Sequence, residues 1–286
     1  MNRNLRWPKA ALLIVLALVL MRSLVPRVSR AEDCGQLKLS LRPDEAALPL
    51  HAPVFAALEI HNEGASPASV DLGKNFKGNL RLAFDLPDRR TADGPPYSSP
   101  PDGAFVPGVV EVGGGATHIQ QLVLNEWWDF ASTGAYRVRL RIEQSPRFCT
   151  REPLSAAAVV EMTARDEPRL TVICNRLAAD AKSLSATSKV AAEGLSYAGD
   201  DACLAALIEV LKGDGRSRSW ALKGLARIGS KDAAAAVARE WRRFDDFDRG
   251  EAMREFIAKG KGDVLLAAVA RLEPEQSKPL EGTLRQ

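Results

Sequence analysis

Residues that carry chemistry are scarce in this chain of 286 amino acids, which holds three histidines and four cysteines. None of His51, His61 and His118 has a second histidine or a carboxylate at a metal-binding spacing such as HExxH, and no two cysteines form a close CxxC pair. A serine-nucleophile elbow, a Walker loop and a dinucleotide-binding fingerprint are missing as well. These gaps argue against an enzyme and leave no catalytic residue, metal ligand set or cofactor to nominate. Long apolar sequence is lacking too. The run from Ala10 to Met21 spans twelve residues, against the ~20 that a membrane-spanning helix needs.

What surrounds that run is informative. Arg3, Arg6 and Lys9 precede it, and Ser29, Arg30 and Ala31 offer a small-x-small cleavage site before Glu32. This is the layout of a secretory signal peptide over residues 1–31. Arg22, Arg27 and Arg30 blur the charge asymmetry, so an uncleaved membrane anchor stands as the alternative. Glu32 and Asp33 ahead of Cys34 do not match the small, apolar lead-in of a lipoprotein site. Six of the 39 basic residues and no acidic one lie in this leader, which leaves 33 basic against 36 acidic residues and a net charge of −3. Nucleic acid thereby loses its main attraction as a partner. Export also predicts disulfides for Cys34, Cys149, Cys174 and Cys203, which permit three pairings.

Beyond the leader, short alternating runs are separated by Gly, Pro, Asn and Asp. "QLKLSLRP", "VFAALEIHNEG", "ASVDLG", "NLRLAFDLPD", "THIQQLVLN", "YRVRLRIE" and "SAAAVVEMTA" predict about seven strands over residues 34–164. Tyr136, Val138, Leu140 and Ile142 alternate with Arg137, Arg139, Arg141 and Glu143, so that strand has one buried and one wet face. The strand count predicts a β-sandwich of immunoglobulin-like type. In "STGAYRVRL" the turn into the Tyr-x-Val strand resembles the tyrosine corner of such sandwiches, although no intersheet Cys and Trp pattern accompanies it. Cys34 at the first strand and Cys149 after the penultimate one are placed to staple the domain. Closing that loop of 115 residues would contribute ~4 to 5 kcal/mol by chain entropy.

Three segments of the β region invite a functional reading. "VGGGATH", with Gly113 to Gly115, precedes a strand and not a helix, which predicts a hairpin turn and no phosphate cradle. The stretch Asp88 to Gly108 has five prolines and no periodic apolar face, which predicts a long surface loop. "NEWWDFASTG" places Trp127, Trp128 and Phe130 in a connection between strands. Exposed, these rings would stack on a sugar or anchor a protein; buried, they would plug the end of the sandwich.

From residue 167 the period changes. Ala234, Val237, Ala238 and Trp241 stand at i, i+3, i+4 and i+7, the stripe of an amphipathic helix. Leu204, Leu207, Ile208 and Leu211 repeat those offsets thirty residues upstream, and Leu265, Ala268, Val269 and Leu272 repeat them thirty-one residues downstream. A second helix in each unit ends on a glycine, Gly199, Gly229 or Gly260, the residue that closes helices in the left-handed conformation. A degenerate copy with Leu170, Ile173, Cys174 and Leu177 follows Pro168. The "LARIGSKDAAAAV" unit and its copies resemble short HEAT-like repeats, of the kind also seen in phycobilin-lyase-type proteins. The resemblance implies an α-solenoid over residues 167–273, a scaffold more than an activity.

Two details qualify this half. The repeat alignment sets Cys174 against Ile208, five residues past Cys203, or ~7.5 Å along a helix, whereas a disulfide needs Cα atoms within ~7 Å. Only a shifted first helix would permit the second bridge. "FDDFDRGE", Phe244 to Glu251, lacks the alternate acidic spacing of a calcium loop and predicts a helix start capped by carboxylates.

The expected protein is therefore multidomain: an all-β immunoglobulin-like sandwich (34–164), an all-α HEAT-like solenoid (167–273) and a polar tail (274–286). The expected role is a noncatalytic protein-interaction scaffold, secreted or periplasmic, using the helical groove. The alternative is a carbohydrate or cell-wall binder that uses the Trp127/Trp128 turn. A membrane association follows only if the leader stays uncleaved.

Overall fold

The structure, a computed structural model, describes residues 36–97, 106–143, 153–183, 185, 187–213 and 215–277. The leader, Cys34 and Cys149 fall outside the described residues, and so does their expected bridge. A β region is followed by a helical region. Among the described residues no helix is long and apolar enough to cross a membrane.

Among the described residues ten strands build the β region: β1 (Leu37–Pro43), β2 (Ala47–Pro49), β3 (Phe55–Asn62), β4 (Ala68–Asp71), β5 (Leu80–Asp85), β6 (Thr91–Asp93), β7 (Val109–Val112), β8 (Thr117–Val123), β9 (Gly134–Ile142) and β10 (Leu154–Thr163). All seven segments with strand patterning are strands. The additional β2, β6 and β7 are three or four residues long, too short to show a period. The sheets run β1-β3-β8, β2-β10-β9-β5-β6 and β4-β7, with β2 parallel to β10 and every other pair antiparallel. Alternation fixes the register. Leu82, Leu140 and Ala156 form one cross-strand row and Phe84, Val138 and Ala158 the next, all facing inward, while Arg137, Arg139 and Arg141 stay wet.

At the entry to β9 the Tyr136 hydroxyl donates to the Ser132 carbonyl at 3.1 Å and accepts from the Ser132 amide at 3.2 Å. That places the phenol where a tyrosine corner has it. The glycine run differs from expectation. Gly113–Gly115 does not close a hairpin, because β7 pairs with β4 and β8 with β3. The Gly115 amide bonds back to the carbonyls of Asn62 and Gly64, at a φ of 70° that suits glycine. Asn62 enforces the crossing: its buried amide donates to the carbonyls of Ser66 and Val112 and accepts from the Gly64 amide.

Among the described residues seven α-helices follow: α1 (Glu167–Ala181), α2 (Ser188–Leu195), α3 (Leu204–Leu211), α4 (Gly215–Ile228), α5 (Lys231–Glu240), α6 (Asp246–Ala258) and α7 (Gly262–Leu272). Caps set their starts. Asp166 accepts from the Arg169 amide, Ser230 from Ala233 and Asp245 from Asp248. The acidic "FDDFDRGE" stretch is thus a helix start. Gly229 and Gly260 close α4 and α6 at positive φ, as expected of C-terminal glycines. Gly199 does not take that conformation. α2 ends earlier, at Leu195, and tight turns such as Tyr197 to Gly194 carry the chain onward.

The helices pack as two layers. α1, α3, α5 and α7 neighbour one another in order, α2, α4 and α6 form the second row, and the rows meet where α1 packs on α2, α3 on α4, α4 on α5 and α6 on α7. The stripe Leu170, Ile173, Cys174 and Leu177 is buried as patterned. In α3 the buried face is turned by about a residue, to Ala206, Leu207, Val210 and Leu211, because α1 and α4 cover it from two sides. Leu272 at the end of the last helix is exposed. The Cys174–Cys203 disulfide is present, with Cα atoms 5.4 Å apart. Cys203 escapes the unfavourable repeat register because it sits in a 3-10 turn, Asp201–Cys203, ahead of α3.

Candidate functional site at the junction of the two halves

The aromatic turn comes first. A 3-10 turn, Leu124–Glu126, ends β8 and drives Trp127 into the sandwich, where it is 2 % exposed. Phe130 is 4 % exposed and meets Phe84 and Tyr136 edge-on, at 5.9 and 5.0 Å between centroids. Trp128, half-buried, stacks on Phe84 at 5.4 Å. Each ring spends its surface on another ring, so the three form the plug of the sandwich. An open platform for a sugar is not what these positions make.

The polar members of the same turn face the helices. The Lys77 ammonium lies 2.7 Å from a Glu126 oxygen and 2.8 Å from a Glu193 oxygen, joining the sandwich to α2. None of the three side chains exceeds 11 % exposure. The rings of Tyr97 and Trp127 stand 5.7 and 5.9 Å from the ammonium, inside cation–π range. Burial opposes the charge on Lys77, but the two carboxylates outweigh it and hold its pKa above the ordinary lysine value. Burial, and then the hydrogen bond to Glu193, pushes Glu126 up to about 8. Burial also works against Glu193, yet the bond from Glu126 and the charge of Lys77 hold its pKa below the ordinary value. At neutral pH the cluster is therefore one cation, one carboxylate and one carboxylic acid, a neutral buried set. Tyr197 beside it is raised by burial and by the same two glutamates.

Shape reinforces the junction. A Cβ on Gly194 of α2 would fall 2.0 Å from the Phe55 ring, so only glycine lets this helix approach β3. Arg169 reaches back to Glu45 at 2.8 Å and to the Ala47 carbonyl at 2.6 Å. Arg165 forks onto Asp200 at 2.6 and 2.9 Å, and these bonds lower the Asp200 pKa.

Next to the cluster opens a cleft of about 150 Å³. His51, Asn125, Asp129 and Phe130 contribute from sandwich loops, and Tyr197 and Arg227 from the helix ends. The Arg227 guanidinium sits 4.9 Å over the Tyr197 ring. His51 holds a φ of 71°, an uncommon conformation for a residue with a side chain. Among the described residues no group of three His, Cys, Asp or Glu side chains is placed to hold a metal. His61 bonds Thr117 across β3 and β8, and His118 lies within β8. Sequence reasoning reached Trp127, Trp128 and Phe130 but missed Lys77, Glu126 and Glu193. Lys77 is 49 and 116 positions from its partners, and no periodic window spans such distances.

Neither a protein-family model nor a curated protein matches the sequence. Solved structures align at low similarity. The CARDB domain of a Pyrococcus furiosus protein, crystallised with di-metal ions, is 10 % identical, with 44 % of this chain and 87 % of that one covered and a TM-score of 0.26. The sporulation control protein Spo0M of Bacillus subtilis is 11 % identical over 51 % of this chain and 54 % of its own, with a TM-score of 0.29. A Paenibacillus cycloisomaltooligosaccharide glucanotransferase is 15 % identical over 45 % of this chain and 15 % of its own, at 0.26. Scores of this size carry no inference about activity.

Proposed function

We propose that this chain is a noncatalytic interaction scaffold working outside the cytoplasm, in which an immunoglobulin-like sandwich and a HEAT-like stack act as one rigid body. The observation that carries the reading is the buried Lys77 bridge from the sandwich to α2. A flexible tether between two modules has no need for a desolvated three-residue ion cluster, whereas a scaffold that presents two surfaces at a fixed angle does. The strand order with β2 parallel to β10, the Tyr136 hydroxyl bonds and the two helical layers are what those two fold types would display. The Cys174–Cys203 bridge and the leader support an oxidising compartment.

The helical layers offer the protein-binding surface. The glycan reading takes second place, since Trp127 and Phe130 are committed to the core. Crosslinking of tagged full-length protein in its native envelope tests the proposal. A partner captured by wild type and lost with a variant that melts the helical half supports it. Capture that is indifferent to melting the helices, or retention on insoluble glycan in place of protein capture, overturns it.

A further inference from the structure

We propose that the junction cleft binds a small zwitterion of the α-amino-acid class, its carboxylate on Arg227 and its ammonium on Asp129. This goes beyond the scaffold reading and does not depend on it. Both side chains line the cleft, and neither forms an ion pair among the described residues. That is unusual in this region, where Arg165, Arg169 and Lys77 all hold carboxylates. Opposite charges that line one recess without pairing leave each available to a ligand carrying the complementary charges.

Arg227 is also held in place before anything binds. Its guanidinium rests over Tyr197, and its stem lies beside Gly199, where a Cβ would be 3.5 Å from the arginine Cδ. A planar fork fixed in this way suits a carboxylate. Asn125 is fixed likewise, its carbonyl accepting from the Val54 amide at 2.6 Å.

His51 supplies the second independent sign. It occupies the third position of the turn closed by the Ala52 amide on the Pro49 carbonyl, at a φ where glycine or asparagine is easier. Backbone held against local preference beside a recess points to a use for the side chain. The cleft, about 150 Å³, is the size of a cavity that takes a six-carbon ring, enough for a small amino acid and too small for an oligosaccharide.

Calorimetry and thermal shift on the full chain decide the matter, with each coded L-amino acid as the probe, alongside the amide and the N-acetyl form of any that binds. We expect at least one amino acid to bind, and both blocked forms to bind about tenfold more weakly, because each lacks one charge. Arg227→Lys and Asp129→Asn should each weaken the amino acid about tenfold without moving the melting temperature of the free protein. No binding by any amino acid, equal binding of a blocked form, or wild-type affinity in both variants overturns the assignment. If Arg227→Lys fails to fold, Asp129→Asn and the blocked forms decide it.

Discussion

The two halves of this molecule treat buried polarity in opposite ways. Among the described residues of the sandwich the fully buried polar residue is Asn62, neutral, with its amide spent on backbone groups. In the helical half Glu193, Asp200, Asp248 and Glu251 are all buried and acidic, and each meets a charged or hydroxyl partner: Lys77, Arg165, Arg218 and Ser219. A sheet satisfies its backbone across strands, so a sandwich core can be almost wholly apolar. Stacked helices satisfy their backbone internally and leave the gaps between rows to side chains. The consequence is that the sandwich should fail through lost packing and the helical half through unpaired charge.

The sharpest break is expected within the helical rows. Leu207 is fully buried, with its methyls against Gly224, where a Cβ would lie 2.5 Å away. Leu207→Asp places an unpaired carboxylate there and should cost more than ~4 kcal/mol, melting the helices. Leu272→Asp at the exposed end should cost under ~1 kcal/mol. Far-UV circular dichroism and thermal melts compare the two. A cooperative wild-type melt for Leu207→Asp would remove the layered packing.

Trp127→Ala tests packing in the sandwich. Loss of so buried a ring should cost ~3 to 5 kcal/mol, and Trp128→Ala visibly less, as chemical denaturation would read. Equal, small effects would return both rings to the surface and restore the glycan reading.

The disulfide comes next. Its sequence separation is 29 residues, so reduction, or Cys174→Ser with Cys203→Ser, should cost ~3 to 4 kcal/mol by chain entropy, borne by the helical half. Melts with and without reductant check this, and the sandwich should keep its own stability.

A smaller effect probes the junction where the two styles meet. Glu126 is pushed from an ordinary value of 4.5 up to about 8, so between these pH values the folded state holds a proton that the unfolded state has released. Its contribution is complete below the lower value and is lost as pH rises through the upper one. Stability should fall by ~1 to 3 kcal/mol between about pH 5 and about pH 9, and Glu126→Gln should flatten that slope. Denaturation midpoints across pH give the answer. Glu193, lowered instead, contributes at neutral pH and loses that contribution only on acidification.

The smallest shift concerns the cleft. His51→Gly should stabilise the free protein by ~1 kcal/mol, because glycine relieves the φ of 71°. A melting temperature that falls would mean the imidazole contributes more than its backbone costs.

Local pattern was sufficient for much of this architecture. Period-two alternation in Tyr136 to Ile142 named a strand and its wet face, and 3.6-residue stripes such as Leu170 to Leu177 named helices, because each signal lies within a few residues of chain. The acidic stretch at Asp245, and Gly229 and Gly260, marked helix ends for the same reason. Where pattern misled, a neighbour had intervened. Asn62 redirects the glycine turn, and a 3-10 turn carries Cys203 to Cys174. Only the tertiary structure decided that Trp127 and Phe130 turn inward while Glu126 between them and β8 turns toward Lys77 and α2. Composition permitted either orientation. The choice rests on which surfaces the distant strands and helices leave open, and that competition is settled over separations of 49 and 116 residues that no local sequence rule reads.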